Sequence, residues 1–212
     1  MILFLGDSLT EGYRLAPGLA FPGRIAEKLA AEGRPRRVIN AGVAGHTTGD
    51  ALRRLPLLLG ERKDADKISG GRDQRPDDAI TDLVIELGVN DLLQRVPVET
   101  VRANLSAIVH AARAAFPEIR IFLFRVPALT LRFEFAADGQ DALQSDEPDA
   151  YARSFADLFA TIAAKENLIL LPFLLEGVLL RPDYNQADLI HPNPRGQELV
   201  VENVWRSLKD YF

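Results

Sequence analysis

A serine and a histidine near opposite ends of the chain are of the types that together form a nucleophile and its base. Ser8 lies in the segment Gly6-Asp7-Ser8-Leu9, and His191 follows Asp188 by three residues. A carboxylate at that spacing can reach Nδ1 of the histidine, which leaves Nε2 free to face a nucleophile. This combination of side chains suits nucleophilic attack on an acyl carbonyl.

Each of these residues also has an ordinary structural explanation. Serine is a common N-cap, so Ser8 could simply begin the helix that follows it. An isolated pair such as Asp188 and His191 is more often a surface aspartate and a structural histidine before a helix cap. The two segments taken singly therefore do not identify a reaction.

Two further segments could supply hydrogen-bond donors for the negative charge that develops on an acyl oxygen. Residues 42–48 and residues 88–91 each follow a short apolar run. The N–H groups of Ser8 and Gly45 and the side-chain amide of Asn90 are suitable donors, and the loss of one such donor typically costs ~3 kcal/mol. Glycine and asparagine are also ordinary turn residues, but four segments that each supply one part of one reaction indicate a serine hydrolase.

The elements that must position these segments follow from the hydrophobic pattern. Short apolar runs alternate with longer segments of helical period, which predicts an α/β fold with a parallel sheet. We expect strands at residues 2–5, 38–41, 83–87, 119–124 and 168–171, and helices at residues 21–32, 50–59, 98–116, 151–165 and from Pro194 onward, with Asn193 as the cap of the last. Three of the four candidate segments follow strands directly, and ligands of parallel sheets bind at the carboxyl ends of the strands.

Two stretches interrupt this alternation. Residues 61–78 are charged and show no period, so we expect a surface loop or a mobile flap. Residues 128–149 begin with strand-like alternation from Leu129 to Phe135 and continue as an acidic, turn-like tract from Asp138. The alternating part is either a β-hairpin flap that lines an acyl-chain groove or a surface strand covered by a second subunit. The flap is slightly favoured.

The composition limits the classes of function. A length of 212 residues suits one domain, which we expect to span 1–212, and the lack of cysteine excludes disulfides and thiolate metal ligands. The net charge of −5 and the lack of a long Lys/Arg run argue against a nucleic-acid partner. The apolar run at residues 1–5 is too short for a signal peptide or a membrane span. We expect no integral membrane association, and either a cytoplasmic protein or the mature form of an exported one.

The other two histidines are weaker candidates. His46 could join the rim of the active site, or it could ligate a metal with Asp50. A lone His/Asp pair lacks a third ligand, so a polar loop residue is the better interpretation. His110 falls within a predicted helix and is assigned to its surface. No metal and no organic cofactor is expected.

The four candidate segments together resemble the SGNH (GDSL) hydrolase superfamily. They are residues 6–9, 40–45, 88–91 and 188–191, in this order. The resemblance implies a three-layer α/β/α sandwich with a five-stranded parallel sheet of flavodoxin-like strand order. It also implies Ser8 as nucleophile, Asp188 and His191 as the rest of a catalytic triad, and Ser8, Gly45 and Asn90 as the oxyanion hole.

Within the superfamily, the chain is most similar to the branch of bacterial thioesterase I, lysophospholipase L1 and arylesterase. Residues 51–56, 84–88, 171–176 and 190–193 carry this likeness. It implies an esterase that hydrolyses small-molecule esters or thioesters, of aryl or short-to-medium acyl type, and it leaves a homo-oligomer open. A carbohydrate deacetylase of the acetyl-xylan type remains an alternative, and so does a non-catalytic binding module, which the four intact segments disfavour. The two interrupting stretches exceed the loops of that branch, and they leave the substrate preference open.

Overall fold

The computed structural model describes residues 1–68, 79–134 and 142–212. Its strands are β1 (Ile2–Gly6), β2 (Val38–Gly42), β3 (Asp82–Glu86), β4 (Arg120–Phe124), β5 (Thr130–Glu134), β6 (Ala142–Asp146) and β7 (Ile169–Leu171). Its helices are α1 (Ser8–Glu11), α2 (Phe21–Ala31), α3 (Thr48–Ile68), α4 (Val89–Leu93), α5 (Val98–Ala115), α6 (Ala150–Glu166) and α7 (Pro194–Leu208).

Five of the strands form one parallel sheet in the order β2-β1-β3-β4-β7. When only these five are counted, the order is 2-1-3-4-5, the flavodoxin-like order. Leu5 of β1 lies opposite both Ala41 of β2 and Ile85 of β3, so these three strands end at one level of the sheet. The predicted fold class is therefore confirmed, and the segments that follow the three strands emerge at the same edge.

The interior positions of the central strands β1, β3 and β4 are apolar because helices cover both faces of the sheet. Along β1, Leu3 and Leu5 join the core cluster that contains the buried faces of α3, α5 and α6. Ile2 and Phe4 point the other way, into the cluster formed with α2 and α7. Successive side chains of a strand point to opposite faces of the sheet. A strand between two helical layers therefore buries both of its faces, which favours apolar side chains on each.

The first part of the stretch at residues 61–78 is helical, where a loop was expected. Helix α3 continues through Ile68, so the loop assignment is wrong for residues 61–68. The reason is that Glu, Arg and Lys are good helix formers, and a helical segment without an apolar stripe gives no periodic signal in the sequence. Residues 69–78 lie outside the described residues.

The second interrupting stretch contains a β-hairpin. The strand expected from Leu129 onward is confirmed as β5, which pairs antiparallel with β6 in a separate two-stranded sheet. The turn-like assignment from Asp138 is wrong for residues 142–146, which form β6. This strand contains no β-branched or aromatic residue, so its pairing with β5 rather than its own propensity defines it. Residues 135–141 lie outside the described residues.

Candidate active site

Ser8 is the first residue of α1, directly beyond the end of β1. The N-cap of this helix is Asp7, whose Oδ1 accepts a hydrogen bond from the backbone N–H of Leu9 at 3.0 Å. A side chain at Gly6 would place its Cβ 2.0 Å from Oγ1 of Thr10, so the tight turn from strand to helix requires glycine here. Ser8 therefore does not cap the helix, and its hydroxyl is available for other contacts.

The structure brings Ser8, His191 and Asp188 together at the carboxyl edge of the sheet. Oγ of Ser8 lies 2.9 Å from Nε2 of His191, and Nδ1 of His191 lies 2.8 Å from Oδ2 of Asp188. Asp188 and His191 both lie in the segment between β7 and α7. The ring of Tyr13 packs against the imidazole of His191, with 4.6 Å between the ring centroids. The contacts fix the imidazole between a carboxylate and a hydroxyl.

Asp188 is held as a hydrogen-bond acceptor by its surroundings. Its Oδ1 accepts from the backbone N–H groups of Ile190 at 3.0 Å and of His191 at 2.9 Å. Burial alone would raise the pKa of Asp188, but the hydrogen bonds from the side chain and backbone of His191 lower it to about 2. An ionised Asp188 favours the tautomer of His191 that carries its proton on Nδ1, which leaves Nε2 able to accept a proton from Ser8.

Two of the three predicted oxyanion donors, Gly45 and Asn90, line the same cavity as Ser8. Gly45 has φ of 78° in the turn after β2, and Asn90 lies in α4, whose N-cap Gly88 has φ of 121°. Nδ2 of Asn90 donates to the backbone oxygen of His46 at 2.9 Å and to Oδ2 of Asp7 at 3.2 Å. The amide of Asn90 is thereby bonded to the residue before Ser8 and to the residue after Gly45.

Two buried carboxyl groups lie beneath Ser8. Burial raises the pKa of Asp7 to about 6. Burial, and then the negative charge of Asp7, hold the pKa of Glu86 well above its usual range. The two side chains are hydrogen-bonded to each other, and Glu86 also accepts from Oγ1 of Thr10 at 2.7 Å. The pair therefore retains a proton, because two adjacent buried carboxylates would repel each other.

A third buried carboxyl group joins the starts of two helices. Asp91 accepts hydrogen bonds from the backbone N–H of Thr48 at 2.9 Å and from its Oγ1 at 2.6 Å. Asn104 of α5 donates to the same hydroxyl at 3.1 Å. Burial is the main reason that the pKa of Asp91 is raised. Asp91 thus ties the turn after β3, which carries Asn90, to the first turn of α3.

The family of the chain follows from its match to a family model. The model of the GDSL-like Lipase/Acylhydrolase family matches residues 4–199, which is most of the chain. The chain belongs to this family. The SGNH (GDSL) resemblance of the sequence is thereby confirmed.

Curated relatives of this GDSL-like hydrolase are esterases by name. The arylesterase of Vibrio mimicus is 29% identical over 98% of this chain and 87% of its own length. Esterase TesA of Pseudomonas aeruginosa is 30% identical over the same shares. Among solved structures, the psychrotrophic esterase EstA of Pseudoalteromonas sp. has a TM-score of 0.76 at 28% identity and covers 99% of this chain and 97% of that one. The GDSL-like hydrolase is a carboxylic ester hydrolase.

The hydrolase has a cavity of about 550 Å³ that opens at Ser8. Besides Arg14 and the polar groups described above, the wall of the cavity is mainly apolar, and it includes Leu9, Val89, Leu92, Leu93, Val126, Leu129, Phe173, Leu175, Leu179 and Ile190. Leu129 directly precedes β5, so the base of the hairpin borders the cavity. The site can therefore hold an apolar group next to the hydroxyl of Ser8.

The remaining histidines lie outside this cavity. His46 does not pair with Asp50, whose carboxylate accepts instead from the backbone and side chain of Thr47. Nε2 of His110 contacts Glu166 at 3.1 Å on the α5/α6 side of the sheet. Within residues 1–68, 79–134 and 142–212, no group of three or more His, Asp or Glu side chains could hold a metal ion. In the same residues, no helix is both long and apolar enough to span a membrane.

Proposed function

We propose that this hydrolase cleaves aryl or short-to-medium acyl esters and thioesters through an acyl-enzyme on Ser8. The observation that carries the proposal is the continuous contact from Asp188 through His191 to Ser8, with 2.8 Å and 2.9 Å between the bonded atoms. This contact ends at the mouth of a largely apolar cavity. It is the geometry in which a histidine can deprotonate a serine and an ionised aspartate can hold the histidine in place.

In the proposed reaction, Nε2 of His191 takes the proton of Ser8 as Oγ attacks the acyl carbon. The imidazolium then gives this proton to the oxygen or sulfur of the leaving group, whose bond to the acyl carbon breaks. Water attacks the acyl-enzyme in a second round, with His191 again as base, and the acid and free Ser8 are released. Asp188 remains ionised throughout and stabilises the imidazolium.

The negative charge on the acyl oxygen would be held by the N–H groups of Ser8 and Gly45 and by Nδ2 of Asn90. Asn90 has two amide hydrogens, and both have protein partners. The contact with Asp7 is the longer of the two, at 3.2 Å against 2.9 Å for the contact with the backbone of His46. We expect the acyl oxygen to replace Asp7 as partner, because the shorter contact fixes the amide plane.

The substrate class follows from the cavity and from the relatives. A volume of about 550 Å³ with an apolar wall suits an aryl or medium acyl group better than a polar sugar. The names of the relatives, an arylesterase and an esterase, support the same class. We further propose that residues 1–212 form one catalytic domain, with the hairpin of β5 and β6 as a flap over the cavity, since Leu129 at its base already lines it.

A substrate panel tests this proposal. Wild type and Ser8→Ala are assayed on p-nitrophenyl esters of increasing chain length, an acyl thioester, a lysophospholipid and acetylated sugars. We expect turnover of the esters and thioester by wild type and none above background by Ser8→Ala. Turnover of acetylated sugars alone would establish the carbohydrate deacetylase instead, and equal turnover by the two proteins would refute a role for Ser8.

A further inference from the structure

The guanidinium of Arg54 in α3 joins the ends of two strands to the turn that contains Gly45. Its Nη2 donates to the backbone oxygen of Gly6 at 2.9 Å and to that of Ala41 at 2.6 Å. Its Nε donates to Nδ1 of His46 at 3.2 Å. These donors lie in one rigid plane, so the three acceptors are held in a fixed arrangement.

Two of the three acceptors of Arg54 lie close in the chain to groups of the proposed oxyanion hole. Gly6 is two residues before Ser8, and His46 directly follows Gly45. The backbone oxygen of His46 accepts from Nδ2 of Asn90 at 2.9 Å. A shift of His46 would therefore move two donors together, the N–H of Gly45 and the amide of Asn90.

Arg54 does not itself reach the acyl group. The residues that line the cavity include Ala44 and Gly45 but not Arg54. Among the described residues, no carboxylate forms an ion pair with Arg54, whereas the neighbouring Arg53 pairs with Asp50 and has a side chain that is 74% exposed. The charge of Arg54 thus strengthens hydrogen bonds to backbone oxygens and to an imidazole, and charge-assisted bonds of this kind are stronger than neutral ones.

We propose that Arg54 is a positioning residue of the oxyanion hole, acting through its hydrogen bonds to Gly6, Ala41 and His46. The proposal rests on the proposed function, because it assumes that Gly45 and Asn90 hold the acyl oxygen. A misplacement of about 1 Å in a site of this kind can lower the rate about 100-fold. Arg54→Ala is therefore expected to lower kcat by about 10- to 100-fold while KM changes by less than about threefold.

The experiment compares Arg54→Ala, Arg54→Lys and Arg53→Ala on one p-nitrophenyl ester, after circular dichroism has established that each is folded. Arg53→Ala is the matched control and should keep the wild-type kcat. Arg54→Lys should stay impaired, because one ammonium cannot reproduce the planar donors, and it keeps the test usable if Arg54→Ala does not fold. Millimolar guanidinium, well below denaturing concentrations, should restore part of the kcat of Arg54→Ala and none in Ser8→Ala.

A double substitution separates this inference from the proposed function. If Arg54 acts through the oxyanion donors, Arg54→Ala should lower kcat less in an Asn90→Ala background than in wild type. A wild-type kcat in both Arg54 variants, while Asn90→Ala is impaired, would overturn the role of Arg54 alone. So would fully additive losses without guanidinium rescue. Unimpaired Asn90→Ala would instead refute the proposed oxyanion hole.

Discussion

Replacing Asp188 by asparagine alters one atom of the contact chain and leaves its shape unchanged. In the wild type, Oδ1 of Asp188 accepts hydrogen bonds from the backbone N–H groups of Ile190 and His191. The side-chain oxygen of the asparagine can keep both of them. The new NH₂ group then faces Nδ1 of His191 in place of Oδ2, at the 2.8 Å position. Nδ1 must accept this bond, so the proton of the imidazole moves to Nε2, which can no longer take the proton of Ser8.

The expected loss in kcat for Asp188→Asn is about 10⁴-fold, as for the same change in a serine protease triad. It corresponds to about 5 kcal/mol of transition-state stabilisation. Ser8→Ala should lose more, about 10⁶-fold, because in the proposed reaction Asp188 orients the base but does not react. KM should change little if the apolar wall of the cavity holds the acyl group, as proposed.

The assay is the steady-state hydrolysis of a p-nitrophenyl ester at neutral pH. Asp183→Asn is the matched control, because Asp183 lies in the same segment with an exposed side chain. A kcat for Asp188→Asn within tenfold of wild type would refute the tautomer explanation. A loss of similar size in Asp183→Asn would attribute the effect to the segment as a whole.

Three further predictions address the oxyanion donor, the buried carboxyl pair and the hairpin. Asn90→Ala should lower kcat about 10²- to 10³-fold in the same assay, and an unchanged kcat would exclude it as a donor. The pKa of Asp7 rises from 3.8 to about 6 on folding, so its contribution to stability is present below pH 3.8 and is lost as the pH rises through 6. Between pH 4 and pH 7, the free energy of unfolding measured with urea should fall more, or rise less, in wild type than in Asp7→Asn, whereas identical pH dependences of the two proteins would contradict the buried pair. Leu131→Ser and Phe133→Ser should lower activity on long acyl chains and spare acetyl esters if the hairpin is a flap; equal loss on both would disprove this, and a lower oligomeric mass would favour an interface.

The sheet could be predicted from the sequence because its strands are short apolar runs between helical segments. β1 is buried at all five positions, and each of the other four central strands was expected within one or two residues of its observed bounds. The strand order came from the family resemblance, since periodicity does not specify which strands are neighbours. A helix after Ser8 is indicated only by the cap preference of serine, and α4 escaped prediction, because four or five residues are too few to show a period.

The contacts that support the site could not be predicted from the sequence, although residues of all four candidate segments line one cavity. Thr10 and Glu86 are 76 residues apart, and nothing in the apolar run of β3 indicates that its last residue shares a proton with Asp7. The sequence does not distinguish Arg54 from other arginines of a charged helix, because its acceptors are backbone oxygens of distant residues. Ser8 and Asp7 are both good N-caps by residue type, so only the backbone could distinguish them.

The central claim is that Ser8 is the nucleophile, and covalent labelling tests it most directly. A fluorophosphonate probe forms a bond from phosphorus to a serine oxygen and releases fluoride, and peptide mass spectrometry then locates the adduct. The account predicts one adduct per folded chain, on the peptide that contains Ser8, and none in Ser8→Ala. Folded wild type that remains unlabelled, or an adduct that persists in Ser8→Ala, would contradict it.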